Sequence, residues 1–162
     1  MSYKDYIKAI EIIEQNKSKV KKFAEEKIYL QKNEAIDKIE SVLGIKFPRS
    51  YRDFLKRFGV LEISNEGAYS LDFSGDYNNI VCVNIDDHKT NHKLNFPETF
   101  VPIYDLGNGE KYCLDTAQMN EEGECPVVGW YYGRMEILYE DFGEFFLDVV
   151  ELEFSTYENG TC

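Results

Sequence analysis

The apolar residues change their spacing at Gly59, and this change limits the possible folds more than any other feature of the chain. Before it they recur every three or four residues, the period of an amphipathic helix. Tyr3, Tyr6, Ile7, Ile10 and Ile13 fall on one side of a first helix. Asn33 suits the N-cap of another, in which Ile36, Ile39, Val42 and Leu43 share a face and Gly44 takes the C′ position. Pro48 fits the first turn of a third, with Tyr51, Phe54, Leu55 and Phe58 inward and Gly59 as its stop. Asn16-Lys17-Ser18 interrupts the first pattern, and the lysine-rich stretch to Gln31 suits either a helix or a long connection.

After Gly59 the runs become short and rich in β-formers, at 68–73, 80–85, 100–104, 111–114 and 126–132, with Gly, Asn and Asp between them. Leu106-Gly107-Asn108-Gly109 predicts a tight antiparallel hairpin. Asp141 can cap a final helix, with Glu144 three residues on and Phe142, Phe145, Phe146, Val149 and Val150 as its apolar face. Strands in succession without intervening helices imply an antiparallel sheet. The expected class is α+β, a single domain over 1–162 in which N-terminal helices and a C-terminal helix flank an antiparallel β-sheet.

The net charge of −12 is unevenly spread. Residues 1–59 carry 14 Lys/Arg against 9 Asp/Glu, and residues 60–162 carry 4 against 21. Such a field disfavours nucleic acid and anionic membrane and favours a basic partner, although acidity also serves solubility. No run reaches the length of a membrane span, and Lys4, Asp5, Lys8 and Glu11 break up any signal-peptide core, so the expected location is the cytoplasm. Cys82, Cys113, Cys125 and Cys162 are too widely spaced for a disulfide framework and are expected as thiols, buried except at the C-terminal end.

The segment from Ile39 to Gly59, with its Leu43-Gly44, Phe47-Pro48, Tyr51, Phe54-Leu55 and closing Gly59, resembles the signature of the SUKH superfamily, the Smi/Knr-type domain. Tyr112-Cys-Leu-Asp-Thr116, Gly123-Glu-Cys-Pro-Val-Val-Gly-Trp130 and the Phe-rich last helix look like the YobK-type antitoxins of that superfamily. The best-matching core is 33–150, with 1–32 as a helical extension. The resemblance implies an immunity protein that neutralises a cognate toxin domain of the LXG type, commonly a nuclease, by stoichiometric occlusion. The superfamily also holds cell-wall regulators, so a regulatory interaction domain stays open as the alternative.

Catalytic chemistry finds little footing. His88 and His92 have helical i,i+4 spacing but lack the frame of a metalloprotease helix, and Cys113 and Cys125 have no CxxC partner for a zinc ribbon. A Cys113/His88 pair has no supporting local motif, although such pairs need only meet in space. Gly107-Asn108-Gly109 lacks the Lys-Ser/Thr of a phosphate loop. With 30 acids in the chain, adjacent carboxylates such as Asp86-Asp87 arise by chance. No catalytic residue, metal or cofactor is therefore expected. The expected partner surface lies on the β-rich half: Asp105 and Glu110 beside the hairpin, Glu121, Glu122 and Glu124 in a loop, and Tyr131 and Tyr132 as aromatic anchors. Strand alternation predicts that only one of the two tyrosines is exposed.

Overall fold

The computed structural model describes residues 2–16, 20–22, 33–58, 62–63, 96–105 and 108–158. Helix α1 (Ser2–Gln15) buries Tyr6, Ala9, Ile10 and Ile13 and leaves Ile7 at its exposed flank. Part of the lysine-rich stretch is a short strand, β1 (Val20–Lys22), paired antiparallel with β2 (Glu62–Ile63). Helix α2 (Asn33–Leu43) takes Asn33 as its first helical residue and not as a cap; it buries Ile36 and Ile39 but leaves Val42 of the expected face exposed, because the apolar stripe turns away from the core in the last turn. Gly44 takes φ +68°, which suits glycine, and the Ile45 amide bonds back to the Glu40 carbonyl at 3.1 Å.

Helix α3 (Arg49–Arg57) follows Pro48, which sits at the N-cap. Strands β3 (Phe100–Asp105), β4 (Glu110–Asp115), β5 (Val127–Tyr131) and β6 (Arg134–Tyr139) form an antiparallel meander in chain order. The pairing of Asp105 with Lys111 is the hairpin expected at Gly107-Asn108-Gly109. The expected strands at 68–73 and 80–85 lie outside the described residues, and β6 is an element the sequence reading did not anticipate. Helix α4 (Phe142–Glu158) has the cap expected of it: Asp141 accepts from the Glu144 amide at 3.0 Å. Glu144 reaches back to the Glu140 amide at 2.6 Å, one residue before the usual capping box.

The sheet has two apolar faces because successive side chains on a strand point to opposite sides. Val101, Ile103, Leu114 and Val127 meet the helices, where α1 packs along α4 and α3 also touches α4. Phe54 sits amid this layer, with ring centroids 5.4–5.6 Å from Phe58, Phe142 and Phe146. On the other face Phe100, Cys113, Val128 and Trp130 pack with Phe96, whose ring meets Trp130 edge-on at 5.0 Å. The chain is thus an α+β single domain with helices at both ends and an antiparallel four-stranded sheet. Among the described residues an ion pair joins two helices: buried Glu40 of α2 meets the half-buried Arg52 of α3, which also holds Asp37 at 3.0 Å.

Candidate interaction surface

The β3–β4 and β5–β6 connections lie at the same end of the sheet, because each joins adjacent antiparallel strands two steps apart in the meander. Register therefore gathers four of the expected contact residues there. Asp105 is opposite Lys111, Glu110 is opposite Tyr131, and Tyr131 is opposite Arg134 with Tyr132 in the turn between them. Tyr132 and Gly133 have φ 45° and 87°, the signs of a two-residue type I′ turn. That conformation is unusual for a tyrosine. The Tyr132 ring lies on Gly109 of the other turn, where a Cβ would come within 2.8 Å of it; Gly109 is needed both for this contact and for its own φ of +93°.

Tyr131 and Tyr132 are 46% and 59% exposed, with their rings edge-on at 4.7 Å. The expectation that only one would face solvent fails because strand alternation ends at Tyr131 and the next residue belongs to the turn. Asn108 accepts from the Glu110 amide at 2.9 Å, fixing the start of β4 beside the pair.

Glu121, Glu122 and Glu124 lie at the opposite end, in the segment that leaves β4 at Asp115 and returns at Val127. At about 3.4 Å per residue, a strand of this length separates the two groups by about 20 Å. The expected contact residues therefore lie in two groups at opposite ends of the sheet. Glu121 and Glu122 are exposed. Glu122 borders a groove of about 860 Å³ shared with Tyr3, Lys4, Asp5, Lys8, Glu11 and Arg49, so charges of both signs stand close to this acid. The Arg49 guanidinium lies 3.8 Å above the Tyr3 ring.

Glu124 cannot be a contact residue. It is 1% exposed, and its carboxylate accepts the Ser50 amide at 2.9 Å and the Ser50 hydroxyl at 2.6 Å. The Gly123 carbonyl takes the Arg49 amide at 2.9 Å. Pro48 has no side-chain acceptor for these first amides of α3, and this distant loop supplies them instead. Burial pushes the Glu124 carboxyl above its ordinary range; the two Ser50 bonds oppose the shift and nearby Asp141 adds to it. Burial, together with the Glu124, Asp115 and Asp141 carboxylates, likewise raises the Cys125 thiol, so Cys125, like Cys113 a buried free cysteine, has the surroundings of an inert core residue.

Sequence reasoning missed the surface carried by β6. Its Met135 and Ile137 are 53% and 57% exposed and share the face that holds Trp130 and Val128, their cross-strand neighbours. Glu136 is opposite Gly129 on the other face, where Glu110 Oε1 stands 3.4 Å from the position of a Gly129 Cβ. The signal was present as Tyr132-Gly133 followed by apolar residues at 135, 137 and 139, a turn with period-2 alternation after it.

Among the described residues no helix is long and apolar enough to cross a membrane, and no group of three His, Cys, Asp or Glu is placed to hold a metal ion. His88 and His92 lie outside the described residues. A family model described as SMI1-KNR4 cell-wall matches residues 2–151, from α1 into α4. The match spans nearly the whole chain and coincides with the helix–sheet–helix unit described above, so the chain belongs to this SMI1-KNR4 family of the SUKH superfamily, and that membership supports a protein-interaction domain.

Proposed function

We propose that the chain is an immunity protein that acts in the cytoplasm, binding a cognate secreted polymorphic toxin and neutralising it by stoichiometric occlusion without catalysis of its own. The toxin best suited to it is a basic nuclease of the kind carried by LXG proteins. A nuclease must hold phosphate with Lys and Arg, so a surface of carboxylates around aromatic anchors can occupy that site and exclude substrate. The observation that carries this reading is the exposed Tyr131–Tyr132 pair beside Glu110, on a chain with net charge −12. Tyrosines of this kind are common interface anchors.

The test is to express any effector domain encoded beside this chain's gene, with and without the chain, and to titrate purified toxin activity. Full inhibition at one chain per toxin is expected. Undiminished toxin activity with the chain in excess would reject the proposal. The cell-wall description of the matching family favours a second reading, a non-catalytic regulatory domain acting on a cell-wall or signalling protein. A gene neighbourhood without a toxin, together with a bound partner from the cell-wall machinery, would favour that reading.

A further inference from the structure

Strand β6 ends the four-stranded sheet, and among the described residues it pairs only with β5. Hydrogen bonding across its hairpin shows which backbone groups remain available. Tyr131 and Arg134 close a two-residue turn and so form a bonded pair; alternation makes Gly129 and Glu136 the next one. Met135 and Ile137 therefore turn their N–H and C=O groups outward, away from β5. Natural edges are commonly blunted by proline, charge or brevity. This six-residue edge presents two large apolar side chains at its outward-bonding positions, ahead of a register shift against β5 between Ile137 and Tyr139.

The two faces beside the edge differ. Met135 and Ile137 make one apolar, next to Trp130. The other carries Arg134, Glu136 and Leu138 of β6, with Glu110 reaching over Gly129 from β4, and exposed Glu140 follows at the end of the strand. From residue 112 to the C-terminus the only basic residue is Arg134.

We infer that β6 accepts an extended segment of a basic partner protein as a fifth strand, with its apolar side chains beside Met135 and Ile137 and its Lys or Arg side chains beside Glu136. This deepens the proposed function and rests on its basic partner. Main-chain bonds to the edge would supply affinity, and the two unlike faces would set the alternating pattern.

The probe is a capped octapeptide of alternating Val and Lys, with the Val/Glu peptide as its charge control. The Val/Lys peptide should bind the full chain at 1:1 and slow amide exchange at Met135 and Ile137, while the Val/Glu peptide should not bind. Ile137→Pro removes an outward amide and no donor of the Gly129–Glu136 and Tyr131–Arg134 pairs, so it should weaken binding at least about tenfold, the scale of one or two lost hydrogen bonds. Ile137→Ser keeps that amide and should lose clearly less. Equal losses in the two variants would overturn the inference, as would protection elsewhere on the chain, equal binding of the Val/Glu peptide or no binding of Val/Lys. Toxin neutralisation is measured separately, so neutralisation retained without peptide binding would overturn strand addition and leave the immunity reading standing.

Discussion

Glu124 caps Ser50 across 74 residues of sequence, taking both its amide and its hydroxyl. The contact ties the β4–β5 loop to α3, and Glu124→Ala would leave buried donors without an acceptor. A loss of about 1–3 kcal/mol is expected in denaturant unfolding. A variant as stable as the wild type would mean that water or another group serves the helix end equally well.

The same carboxyl gives a pH dependence. Its folded pKa is raised by burial, so in the interval just above the ordinary glutamate value of about 4.3 the folded chain binds more protons at this site than the unfolded chain. The stability linked to this group is full below the unfolded value and is lost as pH rises through the folded one. Glu124→Gln removes that titration. Melting temperature of the variant relative to wild type should therefore rise as pH increases from about 4 towards 7. Parallel curves would show that the Glu124 carboxyl titrates at its ordinary value.

Tyr132 holds a positive φ where Asn is the usual residue before Gly in a type I′ turn. A strained residue that is also exposed and aromatic points to use at a surface. Tyr132→Asn should leave stability unchanged or raise it by up to about 1 kcal/mol, offset by the lost ring contact with Gly109, while weakening partner binding. Unfolding and binding titrations on one sample check both halves. Weaker binding caused only by an unfolded protein would contradict this expectation.

Phe54 is fully buried among Phe58, Phe142 and Phe146. Its truncation to Ala should cost about 3–5 kcal/mol. At the usual scaling for this size the melting temperature should fall by roughly 6–20 °C. An unchanged melting temperature would remove Phe54 from the core.

Helix faces were legible in the sequence because Ile36, Ile39, Tyr51, Phe54 and Phe58 repeat at helical spacing. Gly44 and Asp141 marked helix ends through local chemistry. The β3–β4 hairpin was legible for the same reason, since Gly and Asn at 107–109 permit a narrow turn. Strand β6 was obscure because its turn carries Tyr132 in place of Asn and its apolar residues face outward. Glu40 and Glu124 were also hidden. Their partners, Arg52 and Ser50, come from separate elements, and nothing local distinguishes these two buried acids from the other carboxylates of the chain. The seven expected contact residues divided between two ends of the sheet because only the register, and not linear order, places a turn beside a loop.

That division allows the electrostatic part of binding to be located. Glu110 and Glu136 lie at the tyrosine end, whereas Glu121 and Glu122 lie at the other end, where Lys4, Lys8 and Arg49 border the same groove as Glu122. Both ends mix signs, with Lys111 and Arg134 at the tyrosine end and Asp5 and Glu11 among the bases of the groove, so it is the exposed tyrosines that make Glu110 and Glu136 the acids expected to steer a basic partner. Reversing Glu110 and Glu136 to Lys should slow association with the toxin domain several-fold at low salt. The difference from wild type should shrink as salt shortens the Debye length from about 10 Å at 0.1 M to about 3 Å at 1 M. Reversing Glu121 and Glu122 should have the smaller effect at every salt concentration. Stopped-flow association rates for both double variants across that range give the comparison. If the Glu121/Glu122 variant is the slower of the two, the partner docks at the α1 groove and the exposed tyrosines are not its anchor.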